Sequence, residues 1–197
     1  MEQYGRDDCQ RHLLSCCVPG DVLRGVVSAV DGRCVYIDVN GATAVIPRRR
    51  IAISPMCGPD RFQTGDAVYG AVHRVDREKR RIELTHRELL GTFAETVEGI
   101  AKGDIRPGIC CGERRVELAP NLVAFVREDT GPRGAAVDVR ITGVDYARCR
   151  IYAEIVDMPK AAEPPSFIYY ITKGRIKHWS YTEGCKNIAR AETRFSR

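Results

Sequence analysis

The chain has 197 residues, 44% of them hydrophobic and 29% charged, with a formal net charge of +5. That balance suits a soluble protein with one or two modest cores, each near the lower size limit for a self-sufficient domain. No apolar run reaches the ~18 residues needed to span a bilayer, and no apolar stretch follows a basic start, so neither a membrane partner nor a secretory leader is expected and the cytoplasm is the default location.

In chain order, residues 1–18 read as a short helix or extension anchored by Leu13 and Leu14. Alternation then predicts strands over Val22 to Val30, Arg33 to Val39 and Thr43 to Ile46, with a hairpin turn at Asp31-Gly32 and a stop at Pro47. After an irregular stretch from Ser54 to Gly65, Val68 to Val75 and Arg81 to Thr85 supply two more strands around the charged turn Asp76 to Arg80. Five short strands with a long link between the third and fourth is the plan of an OB-type barrel, whose closure leaves no exposed sheet edge.

His86 to Ile100 places Leu89, Leu90, Phe93 and Val97 at helical spacing and predicts a helix that packs the two halves together. After Met158-Pro159 a stiff linker leads to Phe167–Ile171 and Arg175–Tyr181, which predict a hairpin around Lys173-Gly174.

A tandem repeat organises the whole. PGDVLRGVV (Pro19 to Val27) and KGDIRPGIC (Lys102 to Cys110) both open Gly-Asp-aliphatic-x-x-Gly-aliphatic, and both copies later close on Val-Asp five residues before an Arg-Ile, at Asp76/Arg81 and Asp145/Arg150. Between the opening and the later glycine the second copy is 14 residues shorter. The expected fold is mainly all-β: barrels over 19–87 and 102–158, a helix over 88–101 and a basic, aromatic hairpin tail over 159–197.

Positive charge is bunched. Eight Lys/Arg against three Glu from Lys160 to Arg197 account for the whole net charge, and within the balanced remainder Arg48, Arg49 and Arg50 stand together, as do Arg77, Lys79, Arg80 and Arg81. Arginine offers a fork of donors to phosphate and a flat face to a base, while the bland reading is solvated strand-edge charge. In the tail, Lys173, Arg175, Lys177, Trp179 and Tyr181 interleave base and ring; either they form a nucleic-acid surface or the rings cap the second barrel.

The nine cysteines include no C-x-x-C pair and read as reduced thiols. Cys9, His12 and Cys16 or Cys17 could share a helical face, but they lack an obvious fourth zinc ligand, so no metal is expected. No phosphate-binding, dinucleotide or metalloprotease motif occurs, and Asp38 with Asp76 is too sparse for a two-metal nuclease; no enzymatic activity, cofactor or small-molecule substrate is expected.

PGDVLRGVV, CVYIDVNGATAVIP and GDAVYGAVHRVDREKRRIELTHRELLGT resemble the RNA-binding domain repeated in bacterial ribosomal protein S-one, over roughly Pro19 to Thr92. PNLVAFV and YYITKGRIKHWSYTEGC are similar to the short S-one-like proteins of clostridia, which commonly carry a further repeat upstream of where this chain starts. The resemblance implies single-stranded RNA binding on one barrel face, on mRNA or at the small ribosomal subunit. Tyr36 matches the family's second-strand aromatic, and Asp76 and Arg81 match its acidic and basic pair.

Arg33, Arg48, Arg49, His73 and Arg77 stand around those positions and complete the candidate set. The chain departs from the pattern where Arg33, Cys34 and Pro47 replace an aromatic, a glycine and a histidine. In the second copy Arg115 holds the aromatic's place, so Arg115 and Arg150 are secondary candidates at a mainly structural barrel. The competing reading is a protein-interaction module that docks to ribosomal or RNA-degradation machinery without gripping RNA.

Overall fold

A computed structural model describes residues 2–157, 166–182 and 190–194. Helix α1 (Glu2–Cys16) precedes strands β1 (Val22–Val30), β2 (Cys34–Val39), β3 (Ala42–Pro47), β4 (Ala67–Asp76) and β5 (Arg81–Thr85), which close into a barrel in the order β1-β2-β3-β5-β4. The strands fall where alternation places them because their inward residues, among them Val35, Ile37, Ala44, Ile46, Ile82 and Leu84, form one buried core. Asp31 shapes the first turn by accepting the N–H groups of Arg33 and Cys34, each at 2.7 Å.

The barrel closes where β3 meets β5, a parallel pairing of Ala44 with Ile82 and Val45 with Glu83. Next to it, the α1 side chain Gln10 acts as a strand substitute: its carbonyl accepts the Thr43 N–H at 2.6 Å, and its amide donates to the Thr43 and Arg80 carbonyls at 3.1 and 3.2 Å. Leu14 and Cys17 then cover one end of the core.

Strands β6 (Ile105–Gly112), β7 (Arg115–Ala119), β8 (Leu122–Val126), β9 (Ala136–Asp145) and β10 (Arg150–Asp157) form a second closed barrel, ordered β10-β8-β7-β6-β9. The second copy therefore keeps all five strands. Its missing length lies mainly between β8 and β9, where 127–135 replaces the longer 48–66 of the first barrel.

The repeated motif has structural causes. A Cβ on Gly25 would stand 2.4 Å from Ile37 Cγ2 and 2.5 Å from the Asp38 carbonyl oxygen; on Gly108 it would stand 2.4 Å from Val116 Cγ1. In both barrels the first strand crosses the second too closely for a side chain. Asp76 and Asp145 cap equivalent turns by accepting the N–H of Lys79 and Arg148, each at 3.0 Å, and lie opposite Arg81 and Arg150 in register.

The single helix expected over His86 to Ile100 is instead a 3-10 turn (Arg87–Leu89) and a one-turn helix α2 (Phe93–Thr96). Gly91 at φ +87° breaks the run, and Thr92 opens α2 with a capping box to Glu95. Tyr170 explains the break: a Cβ on Gly91 would lie 2.6 Å from its ring, and its N–H donates to the Leu89 carbonyl at 2.9 Å.

Phe167, Tyr169 and Ile176 of the tail pack on the first barrel. Val22 N–H donates to the Gly174 carbonyl and Ile176 N–H to that of Gly20, while Phe167 stacks on Phe62 at 5.0 Å between centroids. Segment 175–181 does not pair with 167–171; the hairpin joins β11 (His178–Thr182) to β12 (Arg190–Arg194).

His86 is the socket for this packing. It is fully buried, lies 4.7 Å from Phe167 and 4.9 Å from Tyr169 between ring centroids, and its Nδ1–H donates to the Tyr69 carbonyl at 3.0 Å. Burial holds its pKa down to about 4. Between that value and the usual imidazole value near 6.5, the unfolded chain binds the extra proton, so the stability from a neutral His86 is complete above about pH 6.5 and is lost as pH falls toward 4. Urea unfolding should show about 3 kcal/mol of acid-sensitive stability that a His86→Phe variant lacks.

The barrels are joined by a buried carboxylate. Glu117 of β7, 0% exposed, accepts from Arg61 Nη1 at 2.9 Å and from the Ser54 hydroxyl, with the Cys57 thiol at 3.6 Å. Around it, Asn121 accepts from Ile53 N–H and donates to the Arg87 carbonyl, and Ser54 N–H donates to the Pro120 carbonyl. Removing one side of a buried pair strands the other charge. Glu117→Ala should cost about 3–5 kcal/mol in urea unfolding, whereas removing the exposed Asp8–Arg11 pair should cost under about 1.

Candidate nucleic-acid interface

On the outer face of the first barrel, Tyr36, Val45 and Glu83 stand in one row across β2, β3 and β5, because Tyr36 is opposite Val45 and Val45 opposite Glu83. The Tyr36 hydroxyl donates to Asp31 Oδ2 at 3.0 Å, which raises its pKa and fixes the ring beside the turn. The same bond, after those from the Arg33 and Cys34 backbones, lowers the pKa of Asp31.

Next to this row lies a groove of about 850 Å³ lined by Arg33, Arg48, Arg49, Arg81 and Arg87 of the first barrel and Arg133 of the second, with Glu83 as its carboxylate. Arg33, Arg48 and Arg81 make no ion pair with any described residue. Arg49 is tied by Nη2 to Glu83 Oε1 at 2.9 Å. Arg133 donates to the Pro55 carbonyl at 2.7 Å, which holds the second barrel's loop against the groove's rim.

The expected residues divide by place. Arg33, Arg48, Arg49 and Arg81 converge on the groove, and Tyr36 lies beside it, two residues along β2 from the lining Cys34. His73 stands behind it: its Nε2 is 2.6 Å from Arg50 Nη2, and burial, then Arg50, holds its pKa down. As a neutral acceptor it orients Arg50, whose Nη1 reaches the buried Glu88 at 3.7 Å.

Asp76 serves the turn and lies 3.5 Å from Arg74 Nη2. Arg77 lines a separate hollow with Asp7, Arg11 and Arg80 beside α1.

Of the secondary candidates, Lys173 and Lys177 are exposed, while Arg175 donates to the Pro19 carbonyl at 3.1 Å and faces Asp21, so it fastens the tail. The side chains of Trp179 and Tyr181 lie outside the described residues. Arg115 pairs with Glu113 at 2.6 Å, and the Arg150 guanidinium lies 5.4 Å from the Phe125 ring centroid.

Sequence patterns missed Arg87, Arg133 and Glu83. Arg87 and Arg133 reach the groove only through the turn after β5 and the packing of the barrels, while Glu83 was detectable as the outward neighbour of Arg81 on β5.

The family model for the S1 RNA binding domain matches residues 18–87. The chain is similar to the small ribosomal subunit protein bS1 of Staphylococcus haemolyticus, 24% identical over 81% of this chain and 46% of that protein. It is similarly related to that of Staphylococcus aureus, 24% identical over 79% and 44%. The chain thus spans about half the length of these curated relatives. Among solved structures it is similar to a multidomain protein with nucleic acid binding domains from Streptococcus pneumoniae, 17% identical over 76% of this chain and 56% of that one, with a TM-score of 0.32. No described helix is long and apolar enough to cross a membrane.

The Glu83 carboxylate offsets part of the groove's positive charge. Glu83→Gln should release Arg49 and move elution from heparin to higher salt, by about one counterion's worth of salt dependence; unchanged elution would mean that polyanions bypass the groove.

Proposed function

We propose, from the premise that residues 18–87 are an S1 RNA binding domain, that this protein binds single-stranded RNA without catalysis, acting on mRNA or at the ribosome during translation. The observation that carries the reading is the convergence of Arg33, Arg48, Arg49 and Arg81 on one groove beside a fixed Tyr36. An aromatic face accepts any base, whereas the arginine forks hold the backbone by charge.

Chemistry assigns the steps. A base stacks on the Tyr36 ring, whose hydroxyl is kept out of the way by Asp31. Flanking phosphates enter the groove and displace counterions against Arg33, Arg48 and Arg81, which make no ion pair with any described residue. Glu83 opposes anions at the groove and keeps Arg49 extended, so nucleic acid competes with it for that side chain. Val45, which stands between Tyr36 and Glu83, carries no base-reading donor, which favours sequence-tolerant binding.

Fluorescence anisotropy of labelled single strands over a salt series tests this. Tyr36→Ala should weaken binding by about tenfold with little change in salt slope. Arg81→Ala should reduce the slope by about 0.7, the share of one phosphate contact on a single strand. Equal binding of duplex, or indifference to both substitutions, would contradict the reading; no binding even at low salt would contradict it and favour a docking module that leaves RNA alone.

A further inference from the structure

We infer that the second barrel carries its own single-strand stacking platform, built from Phe125 and Tyr152 on β8 and β10 rather than from β7. The inference rests on the single-stranded reading of the first barrel, but on different residues.

Register makes the two faces comparable. In the first barrel Tyr36 is opposite Val45 and Val45 opposite Glu83; in the second Arg115 is opposite Phe125 and Phe125 opposite Tyr152. The inward neighbours correspond as well, since Ala44 pairs with Ile82 and Ala124 with Ile151, all four buried. Tyr36, Val45 and Glu83 therefore correspond to Arg115, Phe125 and Tyr152, and Arg81 corresponds to Arg150.

The aromatic absent from β7 is thus replaced by two on the adjoining strands. Loss at the expected position conceals a transposition.

The surroundings suit a nucleobase. Tyr152 is 38% exposed, large for an aromatic on a closed barrel, and Phe125 is half-buried beside it with the Arg150 guanidinium 5.4 Å from its centroid. A hollow of about 470 Å³ opens there, lined by both rings and by Arg127, Glu128, Thr142 and Glu154. Glu154 is held by Arg140 at 2.8 Å. Ring faces supplemented by arginine favour a base over an apolar protein surface, and mixed lining charge leaves stacking, not net charge, as the main attraction.

Continuity argues for the same ligand. Glu117, buried against the first barrel's 54–61 loop, lies two residues along β7 from Arg115, so this face begins where the interface ends. The barrels touch directly through Glu117, so once RNA is held on the first barrel a contact on the second becomes intramolecular.

Length dependence in the full chain tests this. Oligouridine of about five nucleotides can fill one barrel face, and of about twenty can reach both. Tyr152→Ala should leave the short strand's affinity unchanged and weaken the long strand about tenfold, with Tyr152→Phe restoring it because the ring face remains. Tyr36→Ala should weaken both. Should the wild type bind the short strand through Tyr36 and Tyr152→Ala leave the long strand untouched, the second platform is overturned while the first stands. Failure of the wild type to bind either strand overturns both.

Discussion

A carboxylate with no access to water sets the geometry of this molecule. Glu117 projects from the outer face of the second barrel into the loop that links the third and fourth strands of the first, where Arg61 and Ser54 receive it. An ion pair so placed adds less net stability than its Coulomb attraction suggests, because both groups lose hydration, but removal of either partner strands the other's charge. Two small barrels that could have turned about a tether are thereby held in one orientation. The hydrogen bonds from Ile53 N–H to the Asn121 side chain and from Ser54 N–H to the Pro120 carbonyl reinforce that orientation, and the segment around Gly174 and Ile176 is bonded back to Gly20 and Val22.

That fixed orientation gives the surface its sense. The arginine groove belongs mostly to the first barrel, yet its rim is completed by Arg133 of the second, so the long loop of one repeat is shaped by the other. The shared motif records only what the barrel itself demands: a glycine where two strands cross too closely for a side chain, and an aspartate that caps the last turn. The outward positions, under no such demand, differ between the two barrels. In one barrel the ring is on β2 and a carboxylate on β5, whereas in the other the arginine is on β7 and the rings on β8 and β10.

Which features could be read in advance follows from the same division. Alternation located the first barrel's strands to within a residue or two, since each buries one face and a slip would expose it. Helical spacing over His86 to Ile100 misled, because the apolar residues there serve two barrels and the tail at once, and Gly91 yields to the Tyr170 ring. The tail's docking on the first barrel had no local signature: Phe167 finds Phe62 and His86 only through the tertiary fold. Of the site, Arg33, Arg48, Arg49 and Arg81 were readable because they flank strand ends that converge in any such barrel. Arg133 was not, since its place depends on the interface around Glu117.

The most direct test of the central claim is where RNA touches the protein. Photocrosslinking of 4-thiouridine single strands, followed by peptide mapping, should place adducts within the β2 to β3 segment that contains Tyr36 and within the β5 segment that contains Arg81. Adducts confined to α1 or the tail, with none on these strands, would contradict the account.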